Sequence, residues 1–189
     1  MNNLFDIQKY LPQFYYDSVF DIPYNMFLCK NIKALFFDLD NTLLESYETT
    51  FNFKTQHLLK KISQIFKVVI ISNASNKRLR KILKHDWHYI YLNFFYKKPH
   101  SWGFIKALDL VNEHHNKTVM IGDQLHTDIL GANKLQIISI LVKPLNRNKE
   151  PFFTKLKRLL IEKPLIEKVK KQSPLLYKQK FKNFIKLEK

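Results

Sequence analysis

The chain has 189 residues, ordinary apolar content and a single cysteine, Cys29. That is length for one well-buried domain, and it excludes wholesale disorder and an internal disulfide. No apolar run approaches the roughly 18 residues of a membrane-spanning helix, residues 1–10 lack the basic-then-apolar order of a secretory signal, and a lone cysteine fits a reducing cytoplasm. The formal charge of +16 is uneven: residues 151–189 hold twelve Lys and Arg against three Glu. A Lys-rich, Gly-poor composition of the kind an A/T-biased genome produces accounts for part of the excess, but not for its position.

In chain order, Leu4, Phe5, Ile7, Tyr10 and Leu11 suggest a short amphipathic helix, followed by an irregular stretch around Pro12 and Pro23. Residues 1–30 are read as a segment packed on the core; a membrane interface is the alternative use of their aromatics. From residue 33 the pattern is regular. Strands are expected at 33–38, 67–71, 89–95, 118–121 and 136–142, and helices at 54–66, 76–84, 102–114 and 128–134. The helix over 76–84 turns Leu79, Ile82 and Leu83 inward and a basic face outward. This alternation predicts an α/β domain over 31–163, with a central parallel sheet of about five strands flanked by helices on both faces. Ligands of such sheets bind at the carboxyl ends of the strands.

Beyond the last strand, Phe152, Phe153, Leu156, Leu159 and Leu160 fall on one helical face, with Lys155, Lys157, Arg158 and Lys163 elsewhere. That face is expected to pack on the domain and leave the cations in water. Pro164 then breaks the helix, and residues 164–189 form a basic amphipathic extension. In it Leu175, Leu176, Tyr177, Phe181, Phe184 and Ile185 recur among Lys178, Lys180, Lys182 and Lys186, which suits either packing or an anionic membrane surface.

Polar residues collect where the strands end. The first strand runs into Asp38, Asp40, Asn41 and Thr42, the second into Ser72 and Asn73, and the loop after the third carries Lys98 before Pro99. The fourth ends in Gly122 and Asp123, with Asp128 five residues on and Gly131 in the helix that follows. Each has an ordinary explanation as a cap, a turn former or a solvated lysine. Four such coincidences at successive strand ends point instead to one site. Asp38 and Asp123 are hard oxygen ligands suited to Mg²⁺, and a phosphate beside them finds donors in Ser72, the amides after Asp38 and the Lys98 ammonium.

These four stretches resemble the four motifs of the haloacid dehalogenase (HAD) phosphohydrolases, and they span residues 33–142. More narrowly, Phe20-Asp21-Ile22-Pro23, the Asp-Leu-Asp-Asn-Thr-Leu run from Asp38 and the run from Ile121 to Asn133 are similar to the bacterial YqeG-type branch, itself similar to phosphatidylglycerophosphatases. The resemblance implies a HAD-like Rossmannoid fold and a Mg²⁺-dependent phosphomonoester hydrolase. Asp38 is implied as the nucleophile that becomes an aspartyl phosphate, and Asp40 as the acid and base. Ser72, Asn73 and Lys98 are implied as the phosphate holders, with Thr42 as a supporting hydroxyl. Mg²⁺ is expected on the Asp38 carboxylate, the Asp40 carbonyl and Asp123, with Asp128 a ligand through water or an anchor behind them. The family motifs give His100 and His126 no catalytic role.

Only 33 residues lie between Asp38 and Ser72, and 25 between Ser72 and Lys98. Neither interval holds a cap domain, so the site is expected to be open and to suit a large or membrane-borne phosphomonoester, best phosphatidylglycerophosphate. The expected location is the cytoplasm, peripheral at the inner face of the membrane. A nucleotide or phosphoprotein phosphatase is one alternative. A non-enzymatic RNA- or ribosome-associated protein, its basic tail gripping phosphates, is another.

Overall fold

The structure is a computed structural model, which describes residues 7–84 and 86–185. Leu4 and Phe5 of the expected first helix, and Lys186 of the basic tail, lie outside these residues. Six strands form one sheet: β1 (Phe14–Tyr16), β2 (Ala34–Phe37), β3 (Lys67–Ser72), β4 (His88–Tyr91), β5 (Thr118–Gly122) and β6 (Ile138–Val142). Every pairing is parallel, in the order β1-β6-β5-β2-β3-β4. The order reverses beside β2, and a crevice at the carboxyl ends follows from that reversal.

Side-chain alternation along the central strands builds two apolar layers. Leu35 and Phe37 of β2 join Val68 and Ile70 of β3 and Val119 and Ile121 of β5 in one cluster. The helices α1 (Tyr24–Cys29), α2 (Phe53–Ser63) and α3 (Asn76–Leu83) supply Phe27, Leu59, Ile62, Leu79 and Leu83 to it. Ala34, Phe36, Val69, Ile71 and Met120 point the other way, onto Phe104, Ala107 and Val111 of α4 (Trp102–Val111) and Ala132 of α5 (Leu130–Lys134). Runs buried on both faces are what parallel strands require. Two glycines allow close approaches: a Cβ at Gly122 would collide with the Asp128 carboxyl, and one at Gly131 with the Phe104 ring.

The sheet has one strand more than the alternation suggested. The segment after Pro12 pairs with β6, Phe14 opposite Ile140 and Tyr16 opposite Val142, so part of residues 1–30 is an edge of the sheet and not merely a cover on it. Three residues are too few to show a period, and an edge strand tolerates the neighbouring proline. β4 is shorter than expected because the Asn93 side chain accepts from the Phe95 and Tyr96 amides and turns the chain into a 3₁₀ helix at Phe94–Tyr96.

The largest departure is at the C-terminal end. Helix α6 (Phe152–Lys157) continues through a π-helical turn, Arg158–Glu162, into α7 (Lys163–Gln172), followed by α8 (Pro174–Lys180) and α9 (Lys182–Ile185). The apolar face of 152–162 does not pack on the domain: Phe152, Phe153, Leu159 and Leu160 are exposed, while Arg158 and Glu162 are buried. Arg158, expected in water, instead meets three carboxylates inside the protein. Further along, Ile166, Val169, Phe181 and Phe184 pack with Ile7, Leu125, Ile129 and Leu141 in a third apolar cluster. Each such buried side chain contributes on the order of 2 kcal/mol, enough to hold the described part of the extension against the sheet edge. No helix among the described residues is long and apolar enough to cross a membrane.

Candidate active site

β2 and β5 are neighbours in register, Phe37 opposite Ile121, so the residues that follow them leave the sheet side by side. Asp38 continues the pairing through its amide to the Ile121 carbonyl at 2.9 Å. Asn41, in the left-handed region at φ 65°, then turns the chain back, a conformation asparagine tolerates better than most residues. This turn brings the Thr42 hydroxyl to 3.3 Å from Asp123 Oδ1. On the β5 side, the absence of a side chain at Gly122 lets Asp128 fold back, its Oδ2 accepting from the Gln124 amide at 3.1 Å. Asp38, Asp123 and Asp128 are all buried, and one carboxylate oxygen from each lies within 4.8 Å of the others.

Lys98 closes the third side. Its Nζ donates to Asp38 Oδ1 at 2.6 Å and to the Ile71 carbonyl at 2.7 Å, and it sits 2.7 Å from Asp128 Oδ1 in an ion pair. Asn73 fixes the Lys98 backbone, accepting from its amide at 2.8 Å and donating to its carbonyl at 3.3 Å. The Lys98–Pro99 bond is cis. Ser72 is buried at the end of β3, its Oγ accepting from the Ala74 amide at 3.1 Å.

Above these groups opens a cleft of about 350 Å³ lined by Asp38, Asp40, Ser72, Asn73 and Lys98, with Tyr47, Arg78, Lys97, Phe153 and Lys157 among the other lining residues. A larger groove of about 1040 Å³, beside Lys60, Lys67 and Trp87, touches none of the motif residues. Asp40 stands apart from the carboxylate trio, and Arg78 Nη2 donates to its Oδ1 at 2.6 Å. His100 lies away from the trio, its Nδ1 accepting from the Trp102 amide at 3.1 Å. His126 is buried, with Nδ1 3.0 Å from Glu162 Oε1.

Sequence reasoning missed the cations and acids behind the trio. Arg78 belongs to the helix face expected to be solvated, but Ser75 caps α3 and starts it at the sheet edge, so its first turn reaches Asp40. Arg158 pairs with Asp123 Oδ2, donates to the Asp123 carbonyl at 3.0 Å, and holds Glu150 and Glu162 at 2.9 and 3.0 Å. Glu162 in turn accepts from the Leu125 amide at 2.7 Å. One signal was available: Arg158 is the only arginine among the twelve cations of 151–189, and Glu162 follows it by four. Arginine is the cation suited to forked, buried pairing.

The electrostatics leave a deficit of positive charge. Among the described residues, the buried set is five carboxyl groups (Asp38, Asp123, Asp128, Glu150, Glu162) against Lys98 and Arg158, with His126 beside them. Burial pushes the Asp38 carboxyl well above its ordinary range; Lys98 opposes this, while Asp128 and Asp123 add to it. Burial likewise pushes Asp123 up to about 7, against the pull of Arg158. For Lys98, burial works against the charge, but Asp128 and Asp38 outweigh it and hold the ammonium protonated. Asp38 Oδ2 is buried without a hydrogen-bond partner. Three buried carboxylates, each with an oxygen within 4.8 Å of the others, form a donor set that fits a hard divalent cation.

A parallel α/β sheet with an aspartate at the end of its first central strand, a lysine and a second acidic cluster around it is the arrangement of HAD-like phosphatases. Within that class the chain belongs to the mitochondrial PGP phosphatase family, whose model matches residues 1–144. It is thus a phosphatase, a hydrolase of phosphoric monoesters, as its motifs implied. It is 27% identical over 176 residues to "Probable phosphatase YqeG" of Bacillus subtilis (strain 168), covering 90% of this chain and 97% of that protein. It is also 25% identical over 168 residues to a chloroplastic/mitochondrial phosphatidylglycerophosphate phosphatase 1 of Arabidopsis thaliana. That match covers 82% of this chain but 47% of the plant protein, so the chain spans about half of that relative's length. Among solved structures, an uncharacterized protein from Listeria monocytogenes serotype 4b shares the fold, with a TM-score of 0.50 at 20% identity, covering 64% of this chain and 85% of that one.

Proposed function

We propose that this phosphatase hydrolyses a lipid-borne phosphomonoester, phosphatidylglycerophosphate, through an aspartyl phosphate on Asp38, with Mg²⁺ at the carboxylate trio. The observation that carries the reading is Asp38 itself: it lies at the floor of the cleft, one oxygen held by Lys98 and the other without a partner. In this account Asp38 Oδ2 attacks phosphorus in line with the ester oxygen, the P–O ester bond breaks, and Asp40 delivers a proton to the leaving alcohol. A water then attacks the aspartyl phosphate, Asp40 takes its proton, and inorganic phosphate leaves. Asp38, Asp123 and Asp128 would hold Mg²⁺, which when bound supplies positive charge to the transferring phosphoryl oxygens. Lys98 holds the nucleophile's other oxygen and balances Asp128. Asn73 keeps the Lys98 backbone in place, Ser72 offers a hydroxyl at the cleft wall, and Thr42 orients Asp123. Arg78 keeps Asp40 at the mouth, where an entering phosphate dianion can take over the guanidinium and free Asp40 to carry its proton.

The substrate reading draws on the family description and on the plant relative's name. It also draws on the open mouth: between Asp38 and Ser72 the chain forms the motif loop, α2 and β3, and the path from Ser72 to Lys98 includes α3, β4 and a 3₁₀ turn. Such a cleft suits a substrate whose own bulk excludes water. The test is phosphate release from phosphatidylglycerophosphate, a nucleotide monophosphate and a phosphopeptide, side by side with Mg²⁺ or with EDTA. Turnover of the lipid with Mg²⁺, abolished by Asp38→Asn, is the expected result; preference for the nucleotide or the peptide would overturn the substrate assignment.

A further inference from the structure

The helix that carries Arg158 is inverted. Its inward stripe is the half-buried Thr154 with the buried Arg158 and Glu162, spaced by four, and Arg158 reaches Asp123. Successive helical residues turn by about 100°, which puts Phe152, Phe153, Leu156, Leu159 and Leu160 on the far side. Four of these are open to solvent, at 72%, 74%, 55% and 64% exposure for Phe152, Phe153, Leu159 and Leu160. Lys155 and Lys157 flank the apolar face on its two sides. The same face borders the active site, because Phe153 and Lys157 line the cleft. Lys97 also lines the cleft, its Nζ 5.9 Å from the Phe94 ring, and Phe94 and Phe95 stand 79% and 80% exposed.

We propose that this rim, helix 152–161 together with Phe94 and Phe95, is a docking surface for an anionic phospholipid bilayer that seats the cleft mouth against the headgroups. Aromatic and aliphatic side chains on the outer face with lysines at its edges are what an interfacial helix presents: the apolar groups enter the headgroup boundary and the ammonium groups reach the phosphates. Charge decides between occupants. A second copy would bring two +16 chains and like-charged lysine edges together, which is disfavoured, and Leu159 and Leu160, exposed beside the phenylalanines, add aliphatic surface that bases stacked on the rings would leave in water. The sequence left 175–188 open between packing and an anionic membrane surface, and Phe181 and Phe184 are buried in the third cluster. This inference deepens the proposed function and rests on its lipid-borne substrate, but it can fail separately.

The test is co-sedimentation of the full chain with vesicles of phosphatidylcholine alone or mixed with phosphatidylglycerol, beside turnover of a soluble aryl phosphate. The expected result is binding to the mixed vesicles, weakened by salt, and at least ~10-fold weaker in Phe152→Ser/Leu159→Ser and in Phe94→Ser/Phe95→Ser. Soluble turnover should be unchanged in both variants, which also shows that they fold. Variants that bind the vesicles as tightly as the parent would overturn the proposal, as would a dimer in sedimentation velocity that Phe152→Ser/Leu159→Ser dissolves. Hydrolysis of phosphatidylglycerophosphate in detergent without vesicle binding sinks the docking surface and leaves the substrate standing. Rim-dependent vesicle binding without hydrolysis of that lipid keeps the surface and sinks the substrate.

Discussion

The catalytic core between β2 and β6 and the helix at 152–162 obey opposite rules. In the core, apolar residues fill both faces of the sheet and the chemistry stands at the strand ends; in the helix, the polar stripe is inside and the apolar face is outside. The difference is one of partners. β2 and β5 have apolar neighbours to meet on the sheet faces, whereas the helix lies over the buried Asp123 carboxyl, and a forked guanidinium is the group that fits it. Apolar periodicity therefore reports which face is buried only where no buried charge needs an answer.

The sharpest break of the comparison is at Asp38, the proposed nucleophile, where a single oxygen is replaced and packing is left alone. Asp38→Asn should lower phosphate release by at least ~10³-fold with an unchanged circular dichroism spectrum; a variant as active as the parent would refute the assignment. Next come two truncations on opposite sides of the divide. Arg158→Met leaves Asp123, Glu150 and Glu162 buried without their common cation and should cost about 3–5 kcal/mol in urea unfolding. Phe181→Ala, in the apolar cluster that holds the extension, should cost a similar ~3–5 kcal/mol. A loss below 1 kcal/mol for Arg158→Met would mean that the charged stripe is not what seats the helix.

A smaller effect is expected from acid. Burial opposes the Glu162 charge, but Arg158 and His126 hold its carboxyl down to about 2 against an ordinary 4.5. A depressed folded value means stabilisation that is full above about 4.5 and is lost as the pH falls toward 2. Glu162→Gln should accordingly flatten the acid limb of the stability curve between those values, and a parent-like slope would contradict the pairing. The smallest effect is on the outer face. Phe152→Ser/Leu159→Ser should leave urea stability within ~0.5 kcal/mol of the parent, in contrast to Phe181→Ala.

Most of the core was legible because its signals are local. β-branched runs bounded by turn residues marked the strands, and the acids at their ends needed only the topology rule to be brought together. Asp38, Ser72, Asn73 and Lys98 line one cleft, while Asp123 and Asp128 complete the trio behind it. What escaped depends on contacts distant in sequence. β1 is three residues long and exists by pairing with β6, some 125 positions on. Arg158 is called inward by Asp123, 35 positions earlier, and no window of the helix contains that acid. Arg78 stayed hidden because a basic helix face reads as solvated until the cap at Ser75 fixes where its first turn begins.

The cation that pairs with Asp123 is synthesised after every motif residue. A nascent chain that has extruded β2 through β6 already holds every motif acid and Lys98, yet Asp123 of the carboxylate trio lacks Arg158 until residue 158 follows. A chain terminated before that point would carry every motif residue yet leave Asp123 buried without Arg158, and is expected to be less stable than the full chain.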